Sequence, residues 1–482
     1  MNNISINVEI DKKLGKKDKN KNISLGLSII AERVKETINK KRKPLNISFV
    51  IDESGSMDMP LDNKNYNNGN LAALQAMINQ QNNLPNNNVN HWGGNNNGNM
   101  MYHNPNPSSP FDNINPSIKK TVTPTIVEKN TNTKLDLVKK AIIDAINRLS
   151  SEDIVSIVTF SSGTKVLCPG IKATQENKAS LINIVSGIKT SGMTALFDGW
   201  KEGAKQVINN ATEETENKII LLTDGQANIG ETNPDKIGVA VSNMFNSDLC
   251  ISTSTFGVGQ DYNEDMIQGI AQSGSGNYYY IQKDDDFGLL FNDEFENLNN
   301  LYGKKVELSI SSENIAKIDN LNDFNKTESG NYILPSLSYG KETSVAFNIE
   351  LKSKRNIPVK FNLQYEDING NMVNESIEYK DFVAKENEEI INNQKVIDLV
   401  AVLTVAREKK KAMDLLDKGQ YEDARTVLKS ASNFIAGSSA DVMMSTTGSL
   451  DSLTSLMDNG NYKELRKTAT YEAYNTTRGK IR

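Results

Sequence analysis

The chain has 482 residues, 37% of them hydrophobic and 24% charged, with 54 basic against 60 acidic side chains for a net charge of −6. That length exceeds one ordinary domain, and the acidic balance gives no electrostatic reason to bind nucleic acid or anionic lipid. Two cysteines, Cys168 and Cys250, exclude a disulfide framework or a cysteine-rich zinc site, and no apolar run approaches the roughly 18 residues of a membrane span. With no basic-then-apolar leader in MNNISINVEI, the expectation is a cytoplasmic multidomain protein whose two thiols are reduced and buried.

Ile4–Ile10 and Asn22–Val34 read as strands, and 1–44 is expected to supply the first strands of a β-sandwich completed much later in the chain. Leu45–Ile51 (LNISFVI) is apolar almost throughout, the pattern of a strand covered on both faces. From about 58 to 133 the text turns Asn-rich. Twenty of the 53 residues from Asn63 to Asn115 are Asn, and seven of the 12 prolines lie between Pro60 and Pro124. Such a stretch buries too little apolar surface to offset its ordering entropy, so it is predicted to be a disordered insertion with one short helix at Leu71–Ile78. Both histidines, His91 and His103, fall inside it, and a metal site built from them is disfavoured.

Beyond the insertion, Leu135, Val138, Ile142, Ala145, Ile146 and Leu149 have helical spacing. Ile154–Phe160 (IVSIVTF) is a buried strand, followed by helices over 175–188 and 196–209 and a second buried strand, Lys218–Thr223 (KIILLT). A helix over 234–246, a strand at Leu249–Gly257, a helix over 262–272, a strand at Asn277–Ile281 and a helix over 286–299 complete the series. Buried strands alternating with helices predict an α/β domain over 45–300, a doubly wound and mostly parallel sheet. Past Leu301 the period becomes two: Val306–Ser311, Asn331–Leu334, Thr343–Leu351, Val359–Tyr365 and Met372–Phe382 read as the strands of a small β-sandwich over 301–385. The α/β domain would then be inserted in that sandwich. Residues 386–482 read as a C-terminal helical region in which a helical hairpin turns at Gly419. KGQYEDA (418–424) is echoed by NGNYKEL (459–465), read as a helix–turn–helix device and not as a true repeat.

The string FVIDESGSM (49–57) places Asp52, Ser54 and Ser56 directly after a buried strand, where open α/β sheets hold their ligands. Thr194, in SGMTALFDG, lies in the loop before a helix, and Asp224, in IILLTDG, ends the second buried strand. Five oxygen-bearing side chains can therefore converge on one crevice. Hydroxyls and carboxylates without His or Cys favour a hard cation, Mg²⁺ with Mn²⁺ or Ca²⁺ as variants, over zinc. The serines suit direct ligation, and Asp52 and Asp224 suit a supporting role that orients them. Such a site leaves the ion electrophilic and open to a carboxylate from another protein.

The sequence resembles a von Willebrand factor A-type domain with a metal-ion-dependent adhesion site. The family's D-x-S-G-S falls on Asp52, Ser54, Gly55 and Ser56, its threonine on Thr194 and its T-D-G aspartate on Asp224. KLDLVKKAI, EDIVSIVTF, ALFDGW and STFGVG fit the same family between the motifs, so the likeness covers about 45–300. The flanking strands and helices resemble bacterial-type intracellular members, and the Asn-rich insertion beside the motif is the main departure. The resemblance implies a bound Mg²⁺ completed by a Glu or Asp from a protein partner, and a helix that in some members shifts on binding.

Several neighbouring features have plainer readings. Asp198 supports a helix start, Asp284–Asp286 form an acidic helix start, and Tyr278–Tyr280 belong to strand core and edge; Glu53 lies beside the site with its direction open. The functional expectation is a non-enzymatic, divalent-metal-dependent protein-binding module or scaffold that captures a partner carboxylate. The alternative is a regulatory subunit of a larger assembly, beside a ring ATPase or kinase-type regulator, docking through its helical C-terminus. A Mg²⁺-dependent hydrolase would need a general base the sequence does not offer: there is no P-loop, no nucleophile elbow and no histidine outside the insertion. Two cysteines cannot build a RING, which argues against a ubiquitin-ligase reading.

Overall fold

In the computed structural model, which describes residues 4–15, 17–32, 42–61 and 132–479, two strands precede the main sheet: β1 (Ile4–Ile10) and β2 (Asn22–Ala31). The expected helix at Leu71–Ile78, His91, His103 and the interior of the Asn-rich insertion lie outside the described residues. The apolar run after residue 44 becomes β3 (Leu45–Asp52), buried at every position. It pairs in parallel with β4 (Ile154–Phe160) on one side and β6 (Glu216–Thr223) on the other. β5 (Thr164–Lys172), β7 (Ser252–Val258) and β8 (Ser275–Ile281) complete a six-stranded sheet of order β5-β4-β3-β6-β7-β8, parallel except for β5. β5 is absent from the sequence expectations. Its text, TKVLCPGIK, is half-solvated and carries Pro169, which only an edge strand tolerates.

Six helices cover this sheet. α1 (Lys134–Arg148), α2 (Gln175–Ser186) and α6 (Asp284–Asn299) share a core with Ile47, Phe49 and Ile51 of β3. α3 (Leu196–Asn210), α4 (Pro234–Asn246) and α5 (Glu264–Ser273) share the opposite core with Val50, Phe160 and Leu221. Strands buried on both faces have no polar alternation, which is why continuous apolar runs marked them. α3 lies unusually close to the sheet. A Cβ on Gly199 would stand 2.5 Å from Phe160, and one on Gly203 2.3 Å from Val50. These two glycines, one turn apart, let the helix approach until its N-terminus reaches the ends of β3 and β6.

α6 is held by a buried charge. Glu294 accepts hydrogen bonds from Ser254 (2.6 Å), Asn277 (2.7 Å) and Tyr279 (2.9 Å) and pairs with Lys218 at 2.8 Å. Burial pushes this carboxyl up, but the Lys218 ammonium and the hydrogen bonds outweigh it and hold the group below the ordinary glutamate range.

Two antiparallel sheets follow. β9 (Leu301–Ser311), β11 (Tyr332–Leu334), β12 (Leu337–Ser338), β14 (Val359–Asp367) and β15 (Met372–Tyr379) form one; β10 (Ile315–Asn320) and β13 (Glu342–Leu351) join β1 and β2 in the other, of order β1-β2-β13-β10. Val345 lies opposite Leu27 and Phe347 opposite Leu25, so the first and last thirds of the chain share one ladder. Leu25, Leu27 and Phe347 from one sheet share a core with Leu308, Phe361 and Leu363 from the other.

The C-terminal region holds two helical hairpins where the sequence suggested one: α7 (Gln394–Asp417) with α8 (Tyr421–Ala431), and α9 (Ala440–Asp458) with α10 (Tyr462–Thr477). Each turns on a glycine in the left-handed region, Gly419 (φ 73°) and Gly460 (φ 69°), and the tyrosines that follow, Tyr421 and Tyr462, meet at 4.8 Å with their rings tilted by 34°. This contact explains the echo between residues 418–424 and 459–465. α7 lies over β2 and β13, its Val396 and Leu399 filling the space left by Gly26. α10 closes the other face of β8: Tyr471 and Tyr474 meet Tyr278 edge-on at 5.7 and 5.5 Å, and Lys467 reaches Glu264 at 2.8 Å. Both cysteines are free and buried, and burial pushes the Cys250 thiol up to about 11. Among the described residues no helix is long and apolar enough to cross a membrane.

Replacing Glu294 by Ala strands the Lys218 charge in the core and is expected to lower the unfolding free energy by about 3–5 kcal/mol in urea melts. Because the folded carboxyl titrates below its ordinary 4.5, its contribution is complete above that pH and lost as the pH falls through the lower folded value. Glu294→Gln should therefore flatten this part of the acid limb of a stability–pH curve.

Candidate metal centre

The crevice forms where β3 and β6 end side by side. Ile51 pairs with Leu222, so the next residues, Asp52 on one strand and Thr223 and Asp224 on the other, emerge together. Both carboxylates are fully buried. Buried carboxylates need partners, and the chain supplies them locally. The Ser54 amide donates to Asp52 Oδ1 at 2.8 Å and the Thr223 hydroxyl to Oδ2 at 2.5 Å. The Ser56 hydroxyl donates to Asp224 Oδ1 at 2.7 Å, and Ser54 Oγ lies 3.1 Å from Ser56 Oγ. A short 3-10 turn, Gly55–Asp58, returns the chain so that both serines face the carboxylates.

A second loop closes the crevice. Main-chain bonds from Ser191 to Glu53 (2.6 Å) and from Gly55 to Gly192 (3.2 Å) stitch residues 191–194 to the turn after β3. Thr194 is then pinned from the far side: its amide donates to Asn228 Oδ1 at 2.9 Å and its carbonyl accepts the amides of Asn228 and Ile229. A Cβ on Gly225 would stand 3.1 Å from Thr194 Oγ1 and 3.6 Å from Asp52 Oδ2, so both oxygens border one small space that only glycine leaves open. Asp52, Ser54, Ser56, Thr194 and Asp224 are thus brought together.

The neighbouring residues separate cleanly from these five. Glu53 turns away, to Lys165 at 2.5 Å and Ser161 at 3.5 Å, and fastens the turn to the β4–β5 hairpin. Asp198 sits in the first turn of α3 paired with Lys201 at 2.7 Å. Three contributors escaped sequence reasoning. Thr223 is the first residue of the TDG string and Asn228 follows it by three residues, and a hydroxyl or amide so close to a motif aspartate is a usable signal. Lys134 carries no such signal: its ammonium meets Asp224 Oδ2 at 2.7 Å from across the insertion.

The donor set suits a hard cation. Adjacent ligands of an octahedral Mg²⁺ with bonds of about 2.1 Å lie about 3 Å apart, close to the Ser54–Ser56 oxygen separation. Burial pushes the Asp52 carboxyl up to about 6, against the hydrogen bonds from Ser54 and Thr223, and the nearby Asp224 charge adds to the push. Among the described residues no group of three or more His, Cys, Asp or Glu side chains is placed to hold a metal ion, at this crevice or away from it.

A family model described as von Willebrand factor type A domain matches residues 128–293. The match begins after Asp52, Ser54 and Ser56, which strand pairing restores to the same unit. The protein YfbK of Escherichia coli (strain K12), itself called uncharacterized, is 28% identical over 178 residues, 37% of this chain and 30% of that one. Inter-alpha-trypsin inhibitor heavy chain H3 of Homo sapiens is 28% identical over 182 residues, 36% of this chain and 20% of that one. The matched stretches thus span well under half the length of either relative. Two solved structures match along the whole chain. A von Willebrand factor type A protein from Catenulispora acidiphila covers 100% of this chain and 98% of its own at TM-score 0.60 and 13% identity. The ArnB paralog VWA2 from Sulfolobus acidocaldarius covers 99% of both at TM-score 0.53 and 16% identity. At these identities the likeness is one of fold, and it extends over the sandwich and the C-terminal helices.

Asn228→Ala removes the acceptor of the Thr194 amide. Hydrogen exchange at Thr194 should rise about tenfold, as expected for loss of a hydrogen bond worth roughly 1–1.5 kcal/mol, with little change at β3 or β6. An unchanged rate would show that the loop is held by other contacts.

Proposed function

The chain carries a von Willebrand factor type A domain, and we propose that its crevice holds a divalent cation through which the protein captures a carboxylate of a protein partner. Domains of this kind commonly mediate metal-dependent protein interactions. The observation that carries the reading is the cluster at the ends of β3 and β6: two buried carboxylates, Ser54 and Ser56 hydrogen-bonded to them and to each other, and Thr194 Oγ1 sharing with Asp52 Oδ2 the space beside Gly225. In this reading Ser54, Ser56 and Thr194 would ligate through neutral oxygens, and Asp52 and Asp224 would balance charge and orient the serines. With most of its direct ligands neutral, a bound Mg²⁺ or Mn²⁺ would supply a Lewis-acid position for an incoming Glu or Asp.

We read this module as non-enzymatic. Among the described residues every acidic group at the crevice already has its partners: Asp52 holds Ser54 and Thr223, Asp224 holds Ser56 and Lys134, and Glu53 faces Lys165. Buried and engaged in this way, these carboxylates are poorly placed to serve as a general base. The docking reading of the helical C-terminus has one observation in its favour. α9 exposes Met443 and Met444, the latter at 75% of its full area. Deleting 386–482 would not test it, because α7 and α10 complete the cores beneath them; a Met443→Ser, Met444→Ser double variant would.

Affinity capture from native lysate in Mg²⁺, then in EDTA, with Asp52→Ala alongside, checks the main reading. A partner lost with both treatments, while the variant keeps its circular dichroism, is the expected outcome. A partner retained in both would move recognition to another surface.

A further inference from the structure

Lys134 stands where local physics opposes it. It is the first residue of α1, and a cation at a helix N-terminus meets the positive end of the helix dipole. It is also 4% exposed, a burial lysine rarely accepts. Yet the position is built. Thr133 caps the helix in a capping box with Asp136, and the Lys134 amide donates to Met59 O at 2.9 Å. Gly259, at φ 79°, makes room for the stem: a Cβ there would come within 2.9 Å of Lys134 Cε. So housed, the ammonium lies 2.7 Å from Asp224 Oδ2 and 3.9 Å from Asp261 Oδ2. Asp261 in turn meets Lys463 of α10 at 3.1 Å.

Resting on the metal reading above, we propose that Lys134 is a positioning residue that withholds Asp224 from the cation and so keeps the site open for an anionic ligand. The two oxygens of Asp224 are divided: Oδ1 takes Ser56, and Oδ2 takes Lys134. The ammonium neutralises that carboxylate and prevents it from swinging onto the ion. Asp52 then remains the one uncompensated carboxylate, and a divalent cation keeps a net positive charge for the partner's Glu or Asp to answer. The cost is weaker metal binding, since Lys134 also repels the ion. Lys134 thereby trades metal affinity for selectivity toward a charged ligand.

Manganese binding to the full chain, read from the electron paramagnetic resonance signal of free Mn²⁺, tests this. Wild type, Asp52→Ala and Lys134→Met are compared, with thermal melts in the absence and presence of Mn²⁺. Lys134→Met should bind Mn²⁺ about tenfold more tightly than wild type. Without metal it should melt below wild type, because Asp224 is left buried and unpaired, and it should gain more from Mn²⁺ than wild type does. Equal or weaker Mn²⁺ binding by Lys134→Met, with wild type binding and Asp52→Ala not, overturns the proposal and leaves Lys134 a structural partner. Equal and negligible binding by wild type and Asp52→Ala overturns the metal reading and this proposal with it. If Lys134→Met does not fold, Lys134→Gln, which can keep a donor to Asp224 while removing the charge, takes its place. It must bind Mn²⁺ more tightly than wild type, and equal or weaker binding again overturns the proposal.

Discussion

Two carboxylates at the ends of adjacent parallel strands, both shut off from solvent, set the terms for the rest of this molecule. Asp52 and Asp224 are drawn together by the pairing of β3 with β6, and nothing in the hydrophobic core compensates them. Isolated ions so buried would cost many kcal/mol. Their surroundings are accordingly polar and short-range: a hydroxyl from Thr223, an amide from Ser54, a hydroxyl from Ser56 and an ammonium from Lys134. These groups come from the turn after β3, the end of β6 and the start of α1, so the local backbone is arranged around two charges. On the proposed reading, such a site would hold a cation without extensive rearrangement, because the orientation cost has already been met in folding.

The remaining architecture keeps that arrangement stiff. Gly199 and Gly203 bring α3 against the sheet, and Asn228 fixes the main chain of Thr194 at its start. On the opposite face Glu294 binds α6 to three strands through Lys218, Ser254, Asn277 and Tyr279. α6 leads without a linker into β9, and Lys341 beside β13 reaches back to Asp293 at 2.8 Å. A shift of α6 along its axis would therefore break a buried ion pair and pull on the sandwich. α10, docked by Tyr471, Tyr474 and Lys467, ties the C-terminal helices to β8 and α5 in the same way.

Much of this was legible in the text, for identifiable reasons. β3, β4 and β6 are covered on both faces, so each appears as a largely apolar run, and the intervening helices have clear periodicity; β7 (STSTFGV) is equally buried but its first four residues are Ser and Thr. The motif residues lie at strand ends, where position and chemistry agree. What escaped was what depends on distant pairing or on weak contrast. β5 is a half-solvated edge containing Pro169, and β12 has two residues. The first turns of α9, ADVMMSTTGS, carry one charge and expose two methionines, so no amphipathic stripe marks them. Lys134 reads as one more surface lysine on a charged helix until the fold sets it against Asp224. Sequence distance hid that contact, since the Asn-rich segment separates it from the motif it serves.

The most direct test of a divalent cation at this crevice is anomalous diffraction at the manganese edge from crystals grown with Mn²⁺. The account predicts a single strong peak bordered by the oxygens of Ser54, Ser56 and Thr194, beside Gly225. A map with no peak there, or with Mn²⁺ bound at full occupancy elsewhere, would contradict it.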